Sequence, residues 1–345
     1  MKFLEQATAV AGIFLAGSGL FASAAAQTAE EFYKGKQLKV IVGQPAGDRG
    51  DVIARIVSKY MSRHIPGNPV IVPQNMPGAG TFTALGYLYD VAPRDGTVFG
   101  TFSRSAPVQA VMGTATVQFD PRPMGWIGSP ETVEQLCVAN ASSPIVKPED
   151  LFTTELIVGG SGPGVVTVYL PKVLQTTIGM KFRIITGYKG AADTFLAMER
   201  GELQGICTVL DQIMGSQPRW IPDGKVRVLF HTSPTASPSL PGIPSVYNYV
   251  KSEEHRQLIH LVNSGVEFGR PFATPPHVPA DRLRILRRAF SDALKDPEFL
   301  AEAKKIDLDV GYITGETMDT LVSDLYAVPQ ALVERANALM AGTDK

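Results

Sequence analysis

Apolar positions along this chain switch repeatedly between a period of two and a period of three to four, which predicts strands alternating with helices. Leu38, Val40, Ile41 and Val42 form a short β-rich run that stops at Gly43 and Pro45. Val52, Ile53, Ile56, Val57, Tyr60, Met61 and Ile65 then recur on one helical face until Pro66 and Gly67 end it, with Asp51 placed to cap the first turn. The unit repeats as a strand over 70–72, a glycine loop over 75–80, and a helix through Leu85, Leu88 and Tyr89 that Thr81 can cap. A turn at 93–96 feeds a third strand over 98–102. Such a β-α-β-α-β run predicts a parallel, right-handed, doubly wound sheet.

Between 105 and 130 the pattern stops. Pro107, Gly113, Pro121, Pro123, Gly125 and Gly128 interrupt every window, so an irregular surface connection is expected. A strand over 136–139 follows, and then Leu156, Ile157 and Val158, a loop at 159–164 and a helix over 165–178 make a third copy of the same unit. A second α/β domain starts there, continuing with strands at 182–185, 206–210 and 226–230 and an extended return over 260–268. Helices over 281–295, from 298, and over 317–340 bring no new strands and are expected to cover the first domain. The chain then crosses between domains twice, with 27–135 plus 262–345 as the first domain and 136–261 as the second, around a hinged cleft.

Each strand–loop–helix junction has a chemical consequence. The free N–H groups and positive dipole end of a helix favour negative oxygens, and the loops at 47–50 and 77–80 would both lie at the carboxyl edge of a parallel sheet. Asp211 follows the strand at 206–210 and can face the cleft as well.

Composition narrows the classes. A hydrophobic content of 44% with 19% charged residues describes a folded globular chain. The net charge of −1 implies neither nucleic acid nor an anionic membrane surface as partner. Residues 1–26 differ from the rest: Lys2 precedes an apolar stretch over 7–20, and Ser23, Ala24, Ala25 and Ala26 offer a cleavage site, the pattern of a secretory signal peptide. The competing reading is an N-terminal anchor helix. Export would permit Cys137 and Cys207 to pair, although free buried cysteines are equally ordinary.

Catalytic and cofactor patterns fail on inspection. The sequence around Ser161 lacks the final glycine of a nucleophile elbow, and neither a P-loop nor a complete dinucleotide fingerprint occurs. His64, His231, His255, His260 and His277 are scattered without metal-ligand spacing. No catalytic residue, metal ligand or cofactor is assigned. Trp126 and Trp220 read as packing residues.

Five segments, in order, carry a resemblance: IVGQPAGDRGDVIAR, VIVPQNMPGAGT, VAPRDGT, FDPRPMGWIGS and GYKGAADTFLAMERGELQG. They resemble the extracytoplasmic solute receptors of tripartite tricarboxylate transporters, the TctC or Bug family, over nearly the whole mature chain. The resemblance implies a non-enzymatic periplasmic receptor with a type II periplasmic-binding-protein fold, two doubly wound α/β domains joined by two crossing strands. It implies a small organic carboxylate as ligand, the transporter's membrane subunits as partners, and a monomer. Its ligand would be held by backbone N–H groups and water at Pro45, Ala46, Gly47, Asp48, Arg49 and Asp51, and at Pro77, Gly78, Ala79, Gly80 and Thr81. The second domain would add Ser161, Gly162 and Gly164, with Tyr188 and Asp193.

Asp48 and Arg49 stand where that family usually carries glycines. Arg49 can give a carboxylate a charge-assisted contact, or both side chains can point to solvent. Tyr188 can equally be a lid on the core and Asp193 a helix cap. The rival functions are a receptor feeding a signalling sensor and an exported hydrolase or isomerase using the same cleft.

Overall fold

The computed structural model describes residues 29–341 other than 116, 163, 164 and 189, so the expected signal peptide and Gly164 lie outside the described residues. The first strands are β1 (Gln37–Val42), β2 (Val70–Asn75), β3 (Val98–Thr101) and β4 (Met124–Ser129). After them come β5 (Gln135–Asn140), β6 (Leu156–Gly160), β7 (Phe182–Thr186), β8 (Gly205–Val209) and β9 (Val226–His231), and finally β10 (Phe272–Pro276) and β11 (Ile313–Thr314).

Two sheets result. The first has the order β11-β4-β10-β3-β1-β2 and the second β7-β6-β8-β5-β9. β1 pairs in parallel with β2 and β3, as the repeating unit predicts, and β6 does so with β7 and β8. Each sheet also takes in one internal strand that runs against both neighbours, and the first adds β11 at its edge, antiparallel to β4. β10 lies antiparallel between β3 and β4, and β5 antiparallel between β8 and β9. Both sheets are therefore mixed.

The helix Arg49–His64 starts earlier than its apolar stripe suggests. Asp48 is its N-cap and accepts from the Gly50 N–H at 3.1 Å, leaving Asp51 inside the first turn. Ile53, Val57, Tyr60 and Met61 are buried as expected, against the sheet and the helix Ala280–Ala293.

The expected irregular stretch 105–130 contains the helix Ala106–Val111 and the buried strand β4. Gly113, at φ 66°, does end the helix, but the glycines of β4 are packing positions. A Cβ on Gly125 would sit 2.3 Å from Thr274 Oγ1, and one on Gly128 2.8 Å from the Ile313 carbonyl. The expected extended return over 260–268 is instead the helix Glu253–Asn263, capped by Ser252, followed by a 3₁₀ turn over Ser264–Phe268. Leu258, Ile259, Leu261 and Val262 are its buried face. The true return is β10, whose prolines fit because its pairing with β4 is irregular there.

Among the late helices, Ala280–Ala293 and Pro297–Lys305 do pack on the first half. The expected long terminal helix divides at Pro329 into Gly315–Ala327 and Gln330–Ala341. The latter packs on Val166–Ile178 and Glu253–Asn263, beside the second sheet. One continuous buried cluster consequently runs from Leu85 and Trp126 through Phe268 to Val173 and Phe230. Cys137 and Cys207 face each other in register across β5 and β8 and are joined as a disulfide.

Candidate functional site

β1 lies between β2 and β3, and the chain leaves β1 for one neighbour and then comes back past it to reach the other. Strand order reverses at that point, where open α/β sheets bind ligands at the carboxyl ends of their strands. The three loops that follow β1, β2 and β3 meet around a cavity of about 370 Å³. Gly43, Gln44 and Pro45 come from the first loop, Pro77, Gly78, Gly80 and Thr81 from the second, and Phe102, Ser103 and Arg104 from the third. Gly269 and Arg270, just before β10, close the wall.

The loops are locked at short range. A Cβ on Gly43 would lie 2.6 Å from Thr81 Cβ and 3.3 Å from the Thr101 carbonyl, so only glycine lets the first two loops approach. Thr81 stands at the N-cap of the helix Phe82–Gly86 but makes no side-chain cap bond; its Oγ1 instead accepts from the Ser103 N–H at 2.8 Å and ties the second loop to the third. The second loop passes through four consecutive positive φ values: Gly78 at 140°, Ala79 at 45°, Gly80 at 64° and Thr81 at 83°. For alanine and threonine this costs roughly 1–3 kcal/mol each, a strain that persists where the surroundings dictate it and that clusters at ligand sites.

Behind the loops a polar knot fixes their spacing. Asp51 is buried and accepts from the Gly47 N–H at 2.9 Å, from Arg55 Nε at 2.9 Å and from Asn75 Nδ2 at 2.8 Å. Burial pushes its pKa up, but those three donors together outweigh it and hold the carboxyl at about 2. Asn75 also donates to the Gln44 carbonyl at 2.9 Å, so a residue ending β2 is tied to the loop after β1.

Arg104 supplies the site's charge. Its Nη1 is buried and finds no hydrogen-bond partner among the described residues. Burial lowers its pKa, and the neighbouring Arg270 charge adds to the effect, while Asp211 and Glu131 oppose it. Arg270 is ion-paired with the buried Glu131 at 2.9 Å, yet its Nε is likewise buried without a hydrogen-bond partner. Two guanidinium groups with open donors beside strained, glycine-rich backbone form a surface that an anion complements.

The residues expected from sequence fall into separate places. Pro45, Pro77, Gly78, Gly80 and Thr81 wall the cavity together. Ala46, Gly47, Asp48 and Ala79 are exposed on the same two loops. Arg49 turns away: its guanidinium donates to the carbonyls of Ile306 and Asp307, at 3.2 and 3.1 Å, where the helix Pro297–Lys305 ends. It lines a second cavity, of about 1060 Å³, together with Asp211, whose Oδ1 is buried without a hydrogen-bond partner. Ser161 and Gly162 follow β6, where the Ser161 N–H donates to Thr167 Oγ1 at 3.4 Å. Tyr188 packs half-buried on the core of the second sheet, and Asp193 sits in the first turn of a helix whose N-cap is Gly190. None of these last four lines the 370 Å³ cavity.

Sequence reasoning missed Arg104 and Arg270. Arg104 carried only a positional signal, following β3 as the glycine loops follow β1 and β2, with nothing to mark its burial. Arg270 carried none, because it precedes a proline-rich strand that periodicity does not detect. Among the described residues no group of His, Cys, Asp and Glu could hold a metal, and no helix is long and apolar enough to cross a membrane.

Two mixed α/β sheets, each with one antiparallel insertion, and a cavity at a strand-order reversal define a two-domain periplasmic-binding-protein-like fold of type II. The family profile described as tripartite tricarboxylate transporter family receptor, TctC, matches residues 53–338, and the chain belongs to that family of solute-binding receptors. Among solved structures it is similar to a TctC solute-binding protein from Polaromonas, at 17% identity and a TM-score of 0.70, over 88% of this chain and 99% of that one. An R. palustris protein with adipate matches at 18% identity and a TM-score of 0.59, over 88% of this chain and 98% of that one. MatC from Rhodopseudomonas palustris with bound malate matches at 17% and 0.57, over 88% and 99%. No curated protein sequence matches the chain.

Proposed function

We propose that this chain is a periplasmic receptor that captures a small organic carboxylate and delivers it to the membrane subunits of a tripartite transporter, without catalysing a reaction. The observation that carries the reading is Arg104, with its buried and unpartnered Nη1, in the wall of a cavity that it shares with two glycine loops and Arg270. A volume of about 370 Å³ suits a small acid, at the lower end of ligand pockets. The bound malate and adipate of two structural relatives support the same ligand chemistry. We assign residues 27–135 plus 262–345 to the first domain and 136–261 to the second, except that the last helix, Gln330–Ala341, goes with the second, on whose helices it packs. The crossings lie side by side, where the Arg270 N–H donates to Ser129 Oγ at 2.8 Å. Ligand binding would favour a closed form through contacts made only in that form.

Mass spectrometry of small molecules released from the purified, denatured protein tests this reading, together with a thermal-shift screen of carboxylates. A carboxylate at about 100 times its dissociation constant should stabilise the protein by about 2.7 kcal/mol. A shift from none of them, or turnover of one that binds, would contradict it.

A further inference from the structure

Arg104 belongs to the walls of two cavities. Besides the small one at the glycine loops, it lines a chamber of about 790 Å³ set between the two halves of the molecule. Val108 and Met112 enter that chamber from the first half, Val166 and Val209 from the second, and Val266 and Met340 from the segments that bridge them. The amide side chains among them are already engaged. Gln135 Nε2 donates to the Tyr169 hydroxyl at 2.6 Å, Gln109 Nε2 to Ser105 Oγ at 2.7 Å, and Asn337 Nδ2 to the Met112 carbonyl at 2.9 Å. The guanidinium of Arg104 is the open donor, and it stands at the boundary with the carboxylate cavity.

Most of the chamber's wall is apolar, so a second carboxylate there would regain few of the hydrogen bonds it gives up to water, whereas apolar surface would be removed from water. We propose that the receptor takes carboxylates bearing an apolar aromatic or alkyl body, the carboxylate lying against Arg104 and the glycine loops and the body filling the chamber. This rests on the carboxylate reading above and adds the chemistry of the rest of the ligand. Val166 and Met112, on opposite walls, then act on specificity without touching the carboxylate.

Calorimetric titration with 3-phenylpropionate, acetate, succinate and 3-phenylpropanol separates the two claims. The expected result is that 3-phenylpropionate binds at least about tenfold more tightly than acetate or succinate, the gain expected from burying an aromatic ring. Val166→Asn should weaken 3-phenylpropionate about fivefold or more and leave acetate unchanged, and Met112→Gln on the opposite wall should do the same if the first variant is poorly folded. Succinate or acetate binding as tightly as 3-phenylpropionate, or variants without effect on it, would overturn the chamber assignment and leave the carboxylate reading standing. Binding of 3-phenylpropanol equal to that of the acid would overturn the carboxylate reading.

Discussion

Two arginines near the carboxyl edge of the first sheet, Arg49 and Arg104, differ in what their guanidinium groups already touch. Arg49 satisfies the carbonyls at the end of a neighbouring helix, a position the helix dipole favours for a cation. Arg49 Nε is left buried without a partner, as Arg104 Nη1 is, but only Arg104 belongs to the wall of the cavity at the glycine loops. Arg104→Met should therefore lower carboxylate affinity about 10- to 100-fold, the range for losing a charged hydrogen bond, without lowering the thermal midpoint. Arg49→Ala should leave affinity within about twofold and cost roughly 1 kcal/mol of stability. Calorimetry and denaturant titration of both variants check the contrast, and a large affinity loss in Arg49→Ala would move the site.

Asp51 gives a pH prediction with a definite sign. Its carboxyl is held at about 2, below the ordinary 3.8, so the stabilisation is complete above roughly pH 4 and is lost as pH falls toward 2. Asp51→Asn should cost on the order of 1–2 kcal/mol at pH 7, and the gap to the wild type should close by about pH 2. Urea midpoints measured across that range check it.

At the scale of elements, the disulfide between β5 and β8 closes a separation of 70 residues. Cys207→Ser should cost about 4 kcal/mol in a denaturant titration, the loop-closure estimate for a loop of that size. Elements were legible in sequence where one face is buried and the other wet. The helix Arg49–His64 announces itself in that way, whereas β3 and β6, buried almost throughout, read as short continuous apolar runs. β4 and β10 did neither. Their neighbours approach so closely that Gly125, Gly128 and the prolines of β10 replace the branched residues a strand normally shows. The glycine loops were legible for the same reason the strands before them were. Arg104 was not, because one arginine after a strand looks like any surface charge until burial and a missing partner are known.

Across the whole molecule, two chain crossings and a shared core decide how the halves can move. Gly269 adopts φ 56°, and a Cβ there would lie 2.1 Å from the Glu131 carbonyl and 2.4 Å from Ser129 Oγ, so glycine lets the crossings touch. Gly269→Ala should destabilise by about 2 kcal/mol or more and displace Arg270 from the site, lowering affinity as well as the thermal midpoint. The domain exchange of the last helix, Gln330–Ala341, was beyond sequence reasoning, since its apolar stripe fits a partner in either half. Small-angle scattering with and without ligand would measure how far the shared core lets the cleft close. The carboxylate reading fixes a position, at the glycine loops against Arg104, and a crystal structure of the protein with its bound acid would show it. Carboxylate oxygens should lie within hydrogen-bond distance of the Arg104 guanidinium and of the loop after β2. A ligand seated instead beside Arg49 and Asp211, with Arg104 untouched, would contradict it.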